Sequence, residues 1–332
     1  MKIGIRADGG PDLGYGHLIR SGSLATELLQ RGHSVVYFTT TPESVREVCP
    51  SSVEITELTS PDDGAECAQK LQVQTVDAII TDSYHVDLQY QQELSEAIDT
   101  VAVFQASNEY ALSCDILINN HLFASELEYE YVGAEPIWCL GVDYCLLREE
   151  FNRFAQKEPQ WREPVEQALI IMGGSDVNNT TPVAMRAFEG YDISIDVVIG
   201  PGYTNVDEIE RTAESIDCDF SLHSNPSNLP ELMFDADFAV SALGTTVYEL
   251  LATNTPILGM SQVENQNRIA RMIQRKNLGI IVDSETSLPE GVRRYTTEAS
   301  TRKEIFHRYQ GLIDGEGSTR VVNTIENQYP SG

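Results

Sequence analysis

The stretch from residue 2 to residue 40, KIGIRADGGPDLGYGHLIRSGSLATELLQRGHSVVYFTT, decides how the rest of the chain is read. KIGIRAD is a short apolar run of strand type, and SVVYFTT is a second. Between them HLIRSGSLATELLQRG carries helical periodicity and stops at Gly32. Strand, glycine loop, helix and strand within forty residues spell a parallel β-α-β unit. The glycines let the chain turn sharply and bring backbone N–H groups toward an anion at the helix start. The loop is no dinucleotide fingerprint, since G-x-G-x-x-G is absent, and no Walker loop, since G-K-[ST] is absent. His17 stands at the first turn of the helix. Local physics leaves it equally open to packing or capping and to facing a crevice.

The same alternation continues through DAIITDS, a helix around DLQYQQELSEAI, TVAVFQA and DILINN. REEFNRFAQKEPQWREPVEQ then turns polar and loses the strand pattern. Beyond it the alternation restarts at ALIIMGGSD and runs to GIIVD. This predicts two doubly wound domains facing across a cleft. Residues 1–158 form the first and residues 159–299 the second, with a C-terminal helix, 300–328, returning to the first. A length of 332 residues suits two such cores.

Composition narrows the function. The chain has 22 basic against 51 acidic residues, a net charge of −29, and five of the basic residues are lysines. That charge is spread through periodic segments rather than gathered in a tail. A lysine-poor acidic surface fits a cytoplasm at molar salt, where repulsion is screened within about 3 Å. A halophilic source is the expectation, and the folding midpoint should fall when KCl is lowered from molar to millimolar; a midpoint that holds would refute it. The absence of a basic patch argues against nucleic-acid binding. No apolar run reaches the length of a membrane span, and MKIGIRADGG lacks the features of a signal peptide, so a cytoplasmic protein is expected. Six scattered cysteines without C-x-x-C spacing read as thiols rather than as a metal site.

In open parallel sheets ligands sit at the carboxyl ends of strands, so the informative residues follow strands. Gly14, Gly16, His17 and Arg20 do so, as do Asp82 and Tyr84 in TDSYHVD. Gly173, Gly174, Ser175 and Asp176 follow a second-domain strand; as an ordinary turn they would need only Asp176 or Ser175 as a helix cap. Gly244, Thr245 and Thr246 open a helix, with Glu249 placed either for ribose hydroxyls or for the helix dipole. Asn265 and Gln266 begin another helix and can both donate and accept hydrogen bonds.

In order, G-x-G-H-x-x-R, D-x-Y, M-G-G-x-D, G-T-T-x-x-E and E-N-Q resemble the PseG-type nucleotide-sugar hydrolases, a family akin in fold to the MurG glycosyltransferases. The likeness spans roughly residues 1–285 and includes YCLLREEF at 144–151. It implies a GT-B architecture of two Rossmann-like domains, with UDP held mainly by the second. Gly173, Gly174, Ser175 and Asp176 would line the nucleotide, Gly244, Thr245 and Thr246 the diphosphate, and Glu249 the ribose. Gly14, Gly16, Arg20, Asp82 and Gln266 would complete the substrate site. His17 matches the family's catalytic histidine, Tyr84 its cleft tyrosine and Asn265 its active-site amide. The family needs no metal and no cofactor. Water attacks the anomeric carbon of a UDP-diacetamido-trideoxy sugar and UDP leaves, in pseudaminic or other nonulosonic acid or surface-glycan biosynthesis, upstream of a synthase partner. One departure stands out: an acidic pair usual in the family is replaced by Gln105-Ala106-Ser107-Asn108-Glu109, on the sugar-facing side. A UDP-amino-sugar transferase and a non-catalytic nucleotide-sugar binding module are the alternative functions on the same scaffold.

Overall fold

A computed structural model of the chain describes residues 1–10 and 13–329, Asn265 by its backbone alone. Among them the chain forms two compact units. One comprises Met1–Glu149 and the segment from Gly315 onward, the other Glu150–Asp314.

The first unit is built on β1 (Lys2–Ala7), β2 (Ser34–Thr39), β3 (Glu54–Glu57), β4 (Ala78–Asp82), β5 (Val101–Phe104), β6 (Ile116–Asn119) and β7 (Ile137–Leu140). These lie in the order β3-β2-β1-β4-β5-β6-β7, every pair parallel. Both faces are covered, which is why the central strands read as unbroken apolar runs. Ile3, Ile5 and Ala7 point to the face packed by Leu18, Leu24, Ala25 and Leu28 of the helix Gly16–Gln30. Alternate positions of β2, β4 and β5 meet Leu71, Tyr90 and Leu94 on the other face. The C-terminal helix Gly317–Gln328 adds Val321, Val322 and Ile325 to the first of these cores. Arg31 and His33 hold its far end through Glu326, at 2.8 Å each.

The second unit repeats the plan with β8 (Gln167–Ile171), β9 (Ser194–Ile199), β10 (Asp219–Ser224), β11 (Phe238–Ala242), β12 (Ile257–Met260) and β13 (Gly279–Val282). Their order is β10-β9-β8-β11-β12-β13, again all parallel. Each sheet therefore reverses its winding once, between β1 and β4 and between β8 and β11. Such a switch point opens a crevice at the carboxyl ends of the two strands, where ligands of this fold class bind.

The boundaries differ from those expected at 158/159 and at residue 300. The helix Glu149–Ala155 falls almost wholly within the second unit, where Phe154 meets Phe234 at 5.2 Å between ring centroids. The helix Ala299–Tyr309 stays there as well: Arg302 donates to the Arg162 carbonyl at 2.5 Å and lies over the Trp161 ring at 4.1 Å. Only the helix Gly317–Gln328 returns to the first unit. An amphipathic pattern shows that a helix is buried on one side, not which of two cores receives it.

Candidate active site

In the first unit the site assembles at the β1/β4 switch point. Gly10 and Gly14 fold the loop after β1 back on itself, with Gly10 N–H donating to the Gly14 carbonyl at 3.2 Å. Gly14 has φ +78°, a conformation that side chains with a Cβ disfavour. The turn delivers the helix start at Gly16, so His17 sits in the first turn and Arg20 one turn further along the same face.

Both reach Asp82, the last residue of β4. His17 Nδ1 lies 2.5 Å from Asp82 Oδ1; Arg20 donates through Nε to Oδ2 and through Nη2 to Oδ1, each at 2.5 Å. The Arg20 guanidinium rests over the Phe104 ring, 3.9 Å from its centroid, which fixes its plane. Asp82 is buried. Burial alone would raise its pKa, but the Arg20 charge and the hydrogen bond from His17 outweigh it and hold the carboxyl below the usual carboxylate range.

An ionised carboxylate has no proton to give, so the His17–Asp82 contact requires the proton on Nδ1. Arg20 Nη2, 3.0 Å from the same ring nitrogen, is then a second donor converging on Oδ1. The contact therefore fixes the tautomer: in the neutral imidazole the lone pair falls on the other nitrogen, Nε2. Of the alternatives left open by local physics, capping fails: no side chain caps this helix, and His17, 8% exposed, is turned to Asp82. The Tyr84 ring meets the imidazole edge-on, 4.5 Å between centroids and 87° between planes, while remaining 80% exposed.

Beneath this cluster lies one that sequence reasoning missed. Arg6, fully buried in β1, pairs with Asp8 Oδ2 at 2.6 Å and donates to the Tyr90 hydroxyl at 3.1 Å. Asp8 Oδ1 accepts from the Thr40 backbone N–H at 2.7 Å and the Thr39 hydroxyl at 2.9 Å. Asp8 immediately precedes the glycine loop, so this ion pair anchors the loop that carries His17. A charged residue inside a strand otherwise read as buried was the available signal.

The second unit places its predicted residues at the β8/β11 switch point. Gly173 has φ +76°, and the loop Gly173-Gly174-Ser175 is packed against Gly200-Pro201-Gly202, whose Gly202 N–H donates to the Gly174 carbonyl at 2.8 Å. A Cβ at Gly200 would come within 2.6 Å of that same carbonyl oxygen, so the glycines there serve loop-on-loop packing as well as any ligand. Asp176 has both carboxylate oxygens engaged: they accept from Thr180 and Thr181 N–H at 2.8 and 2.9 Å, capping the following helix. Gly244 and Thr245 lie at the accessible mouth of the helix Thr246–Ala252, Thr246 is buried and Glu249 is half-buried. Gln266 ties two loops together, its Oε1 accepting from Gln262 N–H at 2.8 Å and Leu243 N–H at 3.3 Å. Asn265 lies in the short turn Glu264–Gln266; its side chain is outside the described residues. The Gln105 carboxamide donates to the Ser107 carbonyl at 2.9 Å, shaping its own loop. Among the described residues no group of three or more His, Cys, Asp or Glu side chains is placed to hold a metal ion, and no helix is long and apolar enough to cross a membrane.

No model of a known protein family matches the chain. Curated relatives do. The spore coat polysaccharide biosynthesis protein SpsG of Bacillus subtilis is 22% identical over 340 residues, 99% of each chain. The UDP-2,4-diacetamido-2,4,6-trideoxy-β-L-altropyranose hydrolase of Campylobacter jejuni is 24% identical over 280 residues, 83% of this chain and 97% of the relative. Among solved structures, Acinetobacter baumannii MurG superposes with a TM-score of 0.72 at 12% identity, covering 98% of this chain and 100% of its own. The chain thus has the fold of the GT-B glycosyltransferases, two parallel-sheet Rossmann-like units.

Proposed function

We propose that the protein is an enzyme acting on a nucleotide sugar, and that it hydrolyses a UDP-diacetamido-trideoxy sugar. The observation that carries this reading is the His17–Asp82 pair clamped by Arg20 at the switch point of the first sheet. It is a base with a fixed tautomer, the kind of group needed to take a proton from a weak nucleophile near neutral pH. The names of two relatives, one a UDP-sugar hydrolase and one a polysaccharide biosynthesis protein, support the substrate class.

In the proposed reaction the oxygen of water bonds to the anomeric carbon while the bond from that carbon to the phosphate oxygen breaks. The water proton passes to His17 Nε2, and UDP departs with the bonding electron pair. Asp82 stabilises the imidazolium so formed, its own charge held ready by Arg20. Tyr84 is assigned the orientation of water and sugar, together with Asn265. To the second unit fall the nucleotide contacts: the loops at Gly173 and Gly244, with Thr245, Thr246 and Glu249. Asp176 and Gln266 act there by shaping those loops.

The likeness to MurG favours a second reading, transfer to an acceptor hydroxyl deprotonated by the same base. Following UDP release from UDP-diacetamido sugars in molar KCl, with and without candidate acceptors, separates the two. Hydrolysis gives full release without an acceptor; release that needs one would replace the hydrolase reading by the transferase.

A further inference from the structure

Gln262 lies on the loop that follows β12, and its backbone is held on both sides. Its N–H donates to Gln266 Oε1 at 2.8 Å, and its carbonyl accepts from Asn178 Nδ2 at 2.8 Å. The residue is 9% exposed, so it is nine-tenths buried. Its carboxamide nonetheless lacks good partners. Nε2 reaches only the Met172 sulfur, at 3.6 Å, a weak acceptor, and Oε1 is buried with no hydrogen-bond partner among the described residues. Buried carboxamide oxygens are rarely left so, because an unmade hydrogen bond keeps the cost of desolvation.

The position gives that vacancy a meaning. Met172 follows β8 and Gln262 follows β12, and β11 runs between these two strands. With neighbouring strands about 4.8 Å apart, the two side chains meet over the carboxyl end of β11. That is the floor of the second unit's switch-point crevice, bordered by Gly173 and Gly244. A diphosphate at neutral pH offers acceptors alone and cannot satisfy Oε1. A group that can is an O–H or an N–H of the neutral parts of the ligand. Because an N–H···S contact is weak, the carboxamide can turn toward such a group at little cost.

We propose that Gln262 is a binding residue that reads a hydrogen-bond donor of the nucleotide sugar: the imide N–H of the base, the ribose 2′-hydroxyl, or an O–H or acetamido N–H of the sugar. This rests on the nucleotide-sugar reading of the preceding subsection. It gives the site a neutral, donor-seeking contact beside the glycine loops assigned to the phosphates.

Calorimetric titration of the full chain in molar KCl tests it with four probes: UDP, 2′-deoxy-UDP, N3-methyl-UDP and UDP-N-acetylglucosamine. If the donor is on the nucleoside, wild-type protein binds one of the two altered nucleotides about tenfold more weakly than UDP. Gln262→Met then binds UDP about tenfold more weakly and no longer distinguishes that pair, as in a double-mutant cycle. If the donor is on the sugar, wild type binds UDP-N-acetylglucosamine more tightly than UDP, and Gln262→Met loses that gain. Gln262→Leu serves in place of Gln262→Met if thermal melting shows the latter to be misfolded. Equal affinity of wild type for all four probes, or the same discrimination in wild type and variant, overturns the proposal while leaving the nucleotide-sugar reading intact. Failure of the wild type to bind UDP at all overturns that reading, and the proposal with it.

Discussion

His17→Ala is expected to lower the rate of UDP release by about 10²–10⁴-fold, the usual worth of a positioned general base, with the thermal midpoint of the protein nearly unchanged. The two parts of this expectation have separate grounds. Activity falls because the variant lacks the Nε2 lone pair to which the water proton passes, while Asp82, engaged by Arg20, is left in place. Stability holds because His17 caps nothing, and because Asp82 keeps its two hydrogen bonds from Arg20 when the imidazole is gone. Asp82→Asn gives a sharper result. The introduced amide can donate to Nδ1 and so favours the tautomer with its proton on Nε2, where the base is needed. A loss on the order of 10³–10⁴-fold in kcat follows from the wrong tautomer alone. Should Asp82→Asn retain most of the activity while His17→Ala abolishes it, the pair is not acting as a unit.

The largest effect on stability is expected at Arg6. Arg6→Met removes one partner of a buried ion pair and leaves the Asp8 carboxylate buried with hydroxyl and amide donors alone. Breaking such a pair costs about 3–5 kcal/mol, most of it the cost of an uncompensated buried charge. For units of this size that corresponds to a fall in melting temperature on the order of 10 °C. Arg6→Met combined with Asp8→Asn should recover part of the loss, since both charges are then gone. The pH dependence carries its own sign. Burial would raise the Asp8 pKa, but the Arg6 charge and the hydrogen bonds from Thr40 and Thr39 more than offset it, and the folded value is depressed. In the wild type this stabilises the fold above the unfolded carboxylate pKa of about 4, and the contribution is lost as pH falls through the lower folded value. In Arg6→Met the desolvated carboxylate is left without its counter-ion, so the deficit relative to wild type should shrink on acidification. Melting curves of both proteins from neutral pH to below pH 4 check this; a deficit that stays constant with acid would show that Arg6 acts through packing alone.

Much of the fold was legible because parallel strands buried on both faces write themselves as short apolar runs. KIGIRAD, SVVYFTT and ALIIMGG each fall on a central strand, and the glycines and polar residues after them mark the carboxyl ends. The spacing of His17 and Arg20 could be read as one helix face, and TDS as a strand end. Their meeting at Asp82 depended on β4 lying beside β1, a pairing that no local pattern specifies. Other features were hidden for physical reasons. Arg6 carries the one strongly polar side chain of an otherwise apolar strand interior, and its partner Asp8 looks like a turn residue until the strands are packed. Asp176 reads equally well as ligand or cap, and only the φ of +41° and its two backbone donors show the cap. Gln262 carries no motif at all; its interest arises from strand order and an unsatisfied oxygen. The helix Ala299–Tyr309 buries Ile305, Phe306 and Tyr309 and the helix Gly317–Gln328 buries Val321, Val322 and Ile325, but such apolar positions do not say which core receives them, so sequence alone could not assign the two to different units.

Water labelled with ¹⁸O tests the central claim most directly. With a UDP-diacetamido-trideoxy sugar, molar KCl and no acceptor, wild-type protein should release UDP that carries no label, with ¹⁸O appearing at the anomeric hydroxyl of the freed sugar. Label in the β-phosphate of UDP would place bond breaking at phosphorus rather than carbon, and no release without an acceptor would make His17 the base of a transferase; either result contradicts a water-activating His17–Asp82 pair working at the anomeric centre.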